Sequence, residues 1–302
     1  ALPLWERYRL LPRWRDVEPV QRRTIAVLTL ISVFYLLILL PSNLNGTDSP
    51  DAFARYGGDE VVIYPILMDV MTPGETFSAT LYHLFIYEDY HYGYPFYAAS
   101  TLLLTPVHLL TGDSFAERVD LNLPLLRFGI SVIPVVLACW VIVFLFTRFR
   151  RPFIAALTLV FLLFAPGSLQ NNQGFWHPDG LNLLFVCFAL YFLQRDSFRF
   201  GRNFFATAVF IGFSVATRVY GVFFAPAVGV YLIQALLQRD IDWKKAFRVG
   251  IFFIVVMVLT AALSSPYLFR ADARDRMIAI ISEKSGEMAH GYEDDYDPRN
   301  DY

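Results

Sequence analysis

Apolar residues gather into seven long runs, at about 24–40, 125–147, 153–167, 179–194, 203–217, 221–238 and 247–264. Runs of this kind belong in lipid, so the pattern predicts an all-α bundle of about seven membrane spans. Several runs fall short of the roughly 20 residues a perpendicular helix needs; flanking aromatic and polar residues extend them. The first and second runs are separated by a long segment, 41–124, rich in Tyr, Asp and Glu. Long segments inside compact folds are usually functional. Within it, Glu60–Thr72 and Thr76–Tyr87 read as interfacial helices. So does 94–111, where Pro95, Pro106 and His108 fit a helix lying in the membrane surface better than one crossing it.

Charge orients these elements. With the N-terminus on the cytoplasmic side, the basic residues of the first 23 positions share that side with Arg148, Arg150 and Arg151, with Arg195, Arg199 and Arg202, and with Arg239, Lys244, Lys245 and Arg248. This is the side that short Lys/Arg-rich loops occupy. Most acidic residues then fall on the opposite face. A crossing at 94–111 would carry Arg148, Arg150 and Arg151 to the wrong side. The reading is therefore a transmembrane domain over 1–265 and an external acidic loop over 266–302, with the chain expected to continue beyond Tyr302. The first span serves as an uncleaved anchor.

Composition agrees with a lipid environment. Hydrophobic residues make up 56% and aromatics 17% of the 302 residues, and mean hydropathy is +0.45. Net charge is only −2, which implies no nucleic-acid partner. Cys139 and Cys187 lie inside apolar runs and read as small hydrophobes, with no disulfide or zinc site expected.

Three constellations on the non-cytoplasmic face could carry chemistry. In Gly57-Gly-Asp59-Glu60, two carboxylates open an amphipathic helix, either as cap and first-turn charge or as groups whose basicity is raised at the water–lipid boundary. In Trp176-His177-Pro178-Asp179-Gly180, Asp179 stands at the mouth of a span. An unpaired charge there costs roughly 2.5–3.5 kcal/mol on insertion scales, so such groups are functional by default; the plainer reading is a helix start with Pro178 in the first turn. His177, Asp179 and Asp59 could together hold a divalent cation, although no spacing signature supports it. In Thr217-Arg218-Val219-Tyr220, Arg218 sits in an outer turn, as Arg127 does at the start of the second span. Each either snorkels to the surface or meets a phosphate through its bidentate fork. Carboxylates and a guanidinium around one interfacial cavity suit a substrate with an anionic head and a long apolar tail.

The order of these motifs resembles the GT-C superfamily of polyprenyl-phosphate-sugar glycosyltransferases, and within it the protein O-mannosyltransferase and lipid A aminoarabinose transferase branch. The resemblance runs from about Thr24 to Pro266. Asp59-Glu60 stands where the family has an Asp-Glu motif after its first span. Tyr92-Gly-Tyr-Pro95-Phe96-Tyr97 loosely matches an aromatic-Pro segment, Arg127 opens the second span, Asp179 stands at the start of the fourth, and Arg218 replaces a basic residue that is commonly Lys. The His177-Pro178-Asp179 triplet departs from the family. The resemblance implies inverting transfer of a sugar from a polyprenyl-phosphate donor to a lipid, glycan or protein acceptor, on the periplasmic, extracellular or lumenal face. It implies Asp59 as general base and Glu60 as its support or an acceptor contact. It further implies Arg218 and Arg127 as the donor-phosphate clamp, and His177, Asp179 and Tyr220 as substrate-orienting groups. Membrane lipids, and a larger membrane complex, are the other expected partners. Two rivals remain: a non-catalytic subunit or lipid-phosphate-binding scaffold on the same core, and a transporter, against which stands the absence of two similar halves.

Overall fold

The computed structural model describes residues 17–56, 58–87 and 92–290, and every regular element among them is helical. Helix α1, Pro19–Leu44, begins with proline in its first turn and a reciprocal cap between Glu18 and Gln21, an arrangement that satisfies otherwise orphaned N–H groups. Its 26 residues span about 39 Å at the α-helical rise, more than the ~30 Å hydrocarbon core of a bilayer. The segment that follows carries four helices: α2, Pro50–Tyr56; α3, Glu60–Met71; α4, Phe77–Phe85; and α5, Tyr94–Thr111. The last three stand where interfacial helices are expected from the sequence. They form a cap with its own apolar core, in which Ile63, Leu67, Phe96, Tyr97 and Trp176 are buried together.

Helices α6, Val119–Leu126, and α7, Ile133–Thr147, are joined without a break by a π-helical turn, Arg127–Val132. Pro124 and Pro134 lie either side of that turn. Each proline lacks an amide proton and weakens the helical ladder, and such wide turns occur mostly as local insertions at functional sites. Helix α8, Pro152–Leu163, bends by 59° into the short α9, Pro166–Asn172. Then come α10, Asp179–Asp196; α11, Arg202–Thr217; a 3-10 turn, Val219–Phe224; α12, Ala225–Leu237; α13, Trp243–Leu263; a second 3-10 turn, Pro266–Phe269; and α14, Ala271–His290.

Among the described residues, four helical stretches are long and apolar enough to cross a membrane: Pro19–Leu44, Val119–Thr147, Val219–Leu237 and Trp243–Leu263; the bent α8–α9 pair makes a fifth if it counts as one span. Seven is therefore not reached on length and composition. Helices α10 and α11 exist where spans are expected, but Asp179, Asn182 and Gln194–Asp196 dilute the first, and the second has only 16 residues. These two are packed on each other, with α10 against α7 and α11 against α13. Within the expected external segment 266–302, α14 is helical to His290; the acidic run from Tyr292 to Asp301 lies outside the described residues, as do residues 1–16 with their arginines.

Outside the bundle the surface is apolar. Leu30, Phe34 and Leu37 of α1, Phe161 of α8 and Phe252 and Leu259 of α13 are all more than half exposed. In water such a continuous surface would drive association; lipid tails solvate it without penalty. The protein is a membrane protein. Its two ends differ. At one, Gln21 donates to the Arg148 carbonyl, Arg150 pairs with Glu18, and Arg148 reaches Gln194, so the basic turn gathers with the starts and ends of neighbouring helices. At the other, Asn43 of α1 donates to the Asn172 carbonyl of α9 at 2.9 Å, and the Gly93 N–H at the entry to α5 donates to the Thr217 carbonyl ending α11 at 3.1 Å.

Candidate functional site

At that second end a cavity of about 470 Å³ lies between α7, α9, α10 and the turn after α11. Its polar wall is made of uncharged groups, Ser131, Ser168, Asn171, Asn172 and Asn182, with His177 and Asp179 on the same lining. Its apolar wall is Val135, Leu183, Val186, Phe223 and Phe224. A pocket of this volume takes a small organic ligand, and a few convergent polar groups on an apolar lining fix its orientation.

Four side chains converge beside the cavity: His177, Asp179 and Tyr220 are on its lining, and Arg218, which is not, bonds to the first two. Asp179, the first residue of α10, holds His177 Nδ1 at 2.9 Å through Oδ2 and Arg218 Nε at 3.2 Å through Oδ1. The Tyr220 hydroxyl also donates to Asp179 Oδ1. Arg218 Nη2 lies 2.6 Å from His177 Nε2. Local structure explains this convergence. Gly180 lets α10 approach the π turn so closely that a Cβ there would sit 2.3 Å from the Ser131 carbonyl oxygen. Ser131, on the π turn, accepts the His177 N–H at 2.8 Å and donates to its carbonyl at 3.2 Å. Helix α11 ends at Thr217, and Arg218 turns extended, with its guanidinium against Asp179 and His177. The Arg218 guanidinium rests over the Tyr92 ring at 4.5 Å and the Tyr220 ring at 5.8 Å, both within cation–π range. Side-chain exposure is 15% for His177, 21% for Arg218 and 33% for Asp179: sheltered, yet reachable. With Asp179 ionised and His177 neutral, the guanidinium and the carboxylate cancel, so an entering anion meets no excess negative charge.

The other two charged candidates lie elsewhere. Glu60 is fully buried and Arg127 nearly so, and they bind each other as a two-bond fork, Arg127 Nε to Glu60 Oε1 at 3.0 Å and Nη2 to Oε2. Arg127 Nη1 also donates to the carbonyls of Asn43 and Asn45 at 3.0 and 2.9 Å. Glu60 Oε1 accepts the Trp176 N–H as well. Neither side chain lines the cavity. The expected roles of Arg127 as phosphate clamp and Glu60 as acceptor contact are corrected accordingly: their polar atoms are turned on each other and on backbone, and they tie together the ends of α1, α3 and the 173–178 loop. Asp59, its neighbour, is exposed, makes no capping bond and is not on the cavity lining. Among the described residues no three His, Cys, Asp or Glu side chains are grouped to hold a metal ion, so Asp59, His177 and Asp179 do not assemble as a cation site. Gly57, which precedes this motif, lies outside the described residues.

Sequence reasoning missed Ser131, Asn182, Tyr92 and Asn43. Ser214 Oγ donates to Asn182 Oδ1 at 2.6 Å, which fixes the amide beside the cavity. Small polar residues within apolar runs are costly to bury unless bonded, and that signal marked Ser131, Asn182 and Ser214. Compared with known proteins, the chain matches no family model, no curated protein and no solved structure.

Proposed function

We propose that the protein is a multi-pass membrane glycosyltransferase that moves a sugar, with inversion, from a polyprenyl-phosphate donor to an acceptor on the non-cytoplasmic face. The observation that carries this reading is the Arg218–Asp179–His177–Tyr220 cluster on a cavity whose walls pass from amides to aliphatic and aromatic side chains. A guanidinium offers a phosphate two parallel donors, the amides suit the hydroxyls of a sugar, and the apolar wall suits the start of an isoprenoid tail. The basic turns cluster at the opposite end, which favours an outer-face cavity in this reading. In this reading α8 with α9, α10 and α11 complete a seven-span set, the inner helices being shielded by the outer ones.

Arg218 receives the negative charge that develops on the departing phosphate. Arg127 has no part in this step, and Glu60 acts by holding the loop that carries His177. The acceptor hydroxyl needs a base, and the family resemblance names Asp59. The test uses purified protein in lipid nanodiscs, with radiolabelled polyprenyl-phosphate mannose and a panel of acceptor peptides and lipids. Transfer is expected with the unaltered chain. Arg218→Gln is expected to lower both undecaprenyl-phosphate binding and transfer by about 100-fold, a loss typical of removing one such charge-stabilising group. Asp59→Asn abolishes transfer, with expression intact, if Asp59 is the base; near-normal turnover removes it from that role. Tight phosphate binding without turnover favours the scaffold instead.

A further inference from the structure

We infer that His177, oriented by Asp179, takes the proton of the acceptor hydroxyl, and that Arg218 holds its basic nitrogen idle until a phosphate arrives. This rests on the glycosyl-transfer reading and gives the base's role to His177 in place of Asp59.

The inference starts from hydrogen-bond direction. A guanidinium only donates. With Arg218 Nη2 at 2.6 Å, His177 Nε2 must present its lone pair. The ring proton then sits on Nδ1, 2.9 Å from Asp179 Oδ2. The Asp179 N–H also approaches Nδ1, but at 3.4 Å it is too long to compete. The ring is thus the neutral Nδ1–H tautomer, with a carboxylate behind it and a lone pair in front. That is the arrangement in which a carboxylate orients a histidine base and stabilises the imidazolium it becomes.

The ring is also held still. Phe175 stacks on it at 5.0 Å and Tyr92 meets it edge-on at 5.3 Å, while Ser131 fixes its backbone on both sides. Among the described residues, the charged and titratable groups around it are Asp179 of α10, Arg218 and Tyr220 following α11, and Tyr92 before α5. Among these, Asp179 is the poorer base, because His177, Arg218 and Tyr220 already donate to it. Asp59 does not line the cavity. His177, which is on the lining, therefore offers a lone pair beside the cavity once Arg218 is drawn off it.

A donor phosphate competes for the Arg218 Nη2 donors, while Arg218 Nε keeps its place on Asp179. Nε2 is then released toward the cavity. The acceptor O–H proton passes to Nε2, the oxygen's electron pair forms the new bond to the anomeric carbon, and the bond from that carbon to the phosphate oxygen breaks. Its electron pair leaves on the phosphate, facing Arg218. The imidazolium proton returns to water after product release. Donor binding thus arms the base.

The full chain in nanodiscs, labelled with nitrogen-15 at histidine, tests this directly. Without ligand, the His177 spectrum should show Nδ1 protonated and Nε2 bare. Adding undecaprenyl phosphate should shift the Nε2 signal, and Arg218→Gln should remove that response. His177→Gln should bind undecaprenyl phosphate within about threefold of the unaltered chain, which also shows that it folds. Its transfer from polyprenyl-phosphate mannose should fall by about 100-fold or more, the usual contribution of a positioned base. A proton on Nε2 in the free protein overturns the inference, as does near-normal transfer by His177→Gln. Absence of transfer by the unaltered chain overturns the glycosyl-transfer reading and this inference together, so the two failures are distinguishable.

Discussion

At the scale of single residues, Glu60 and Asp59 show how far neighbouring identical charges can diverge. Adjacent positions on a helix point about 100° apart. Here that rotation puts Glu60 inside, against Arg127 and the Trp176 N–H, and leaves Asp59 in the open. A buried carboxylate is tolerable only while its partners stay in place, and removing one member of such a pair costs about 3–5 kcal/mol. Glu60→Gln and Arg127→Leu should each lower the thermal unfolding midpoint in detergent, and the combined Glu60→Leu, Arg127→Met replacement should recover part of the loss. The two carboxylates were visible in the sequence as a motif; which of them is enclosed depended on a guanidinium 67 positions away and could not be read locally. The convergence of His177, Asp179 and Arg218 was anticipated as charges on one face. The lone-pair geometry between them was not, because it arises from the extended turn at Arg218.

At the scale of elements, apolar runs located the helices, since burial in lipid enforces long uninterrupted hydrophobic stretches. The π turn at Arg127–Val132 and the 59° bend between α8 and α9 were not legible, because they depend on how prolines redistribute hydrogen bonds within a packed bundle. Close approach is equally non-local. A Cβ on Gly93 would fall 1.6 Å from the Ala216 carbonyl oxygen, where the chain entering α5 bonds to the end of α11. Gly93→Ala should lift Tyr92 away from Arg218 and His177. The expected result is faster limited proteolysis within 41–124 and at least tenfold weaker undecaprenyl-phosphate binding. Gly229→Ala in α12, where the added methyl meets open space, should change neither.

At the scale of the whole molecule, an apolar belt and a cap with its own core make two environments with different sensitivities. In the cap and the turn beside it, burial raises the pKa of Tyr64, Tyr94 and Tyr267. Their folded-state values lie above the unfolded value near 10, so the folded chain holds these protons more tightly. Stability is therefore retained below about pH 10 and falls as pH rises beyond it. Tyrosinate absorbance should lag behind that of free tyrosine until the cap opens, and proteolysis of 41–124 should rise with it. That the chain is helical, with stretches apolar enough for lipid, was legible from hydropathy. The expected seven crossings were not reached, because α10 carries polar residues at both ends and α11 has only 16 residues.

The buried ion pair also dictates a sequence of events during biosynthesis. Glu60 meets Arg127 67 positions later and Trp176 116 positions later, so α3 waits for α4 to α9 to be made before its carboxylate is fully satisfied. Until Trp176 emerges, a charged side chain lacks one of its partners at the lipid boundary. Nascent chains halted before that residue should be the ones that quality-control proteases recognise.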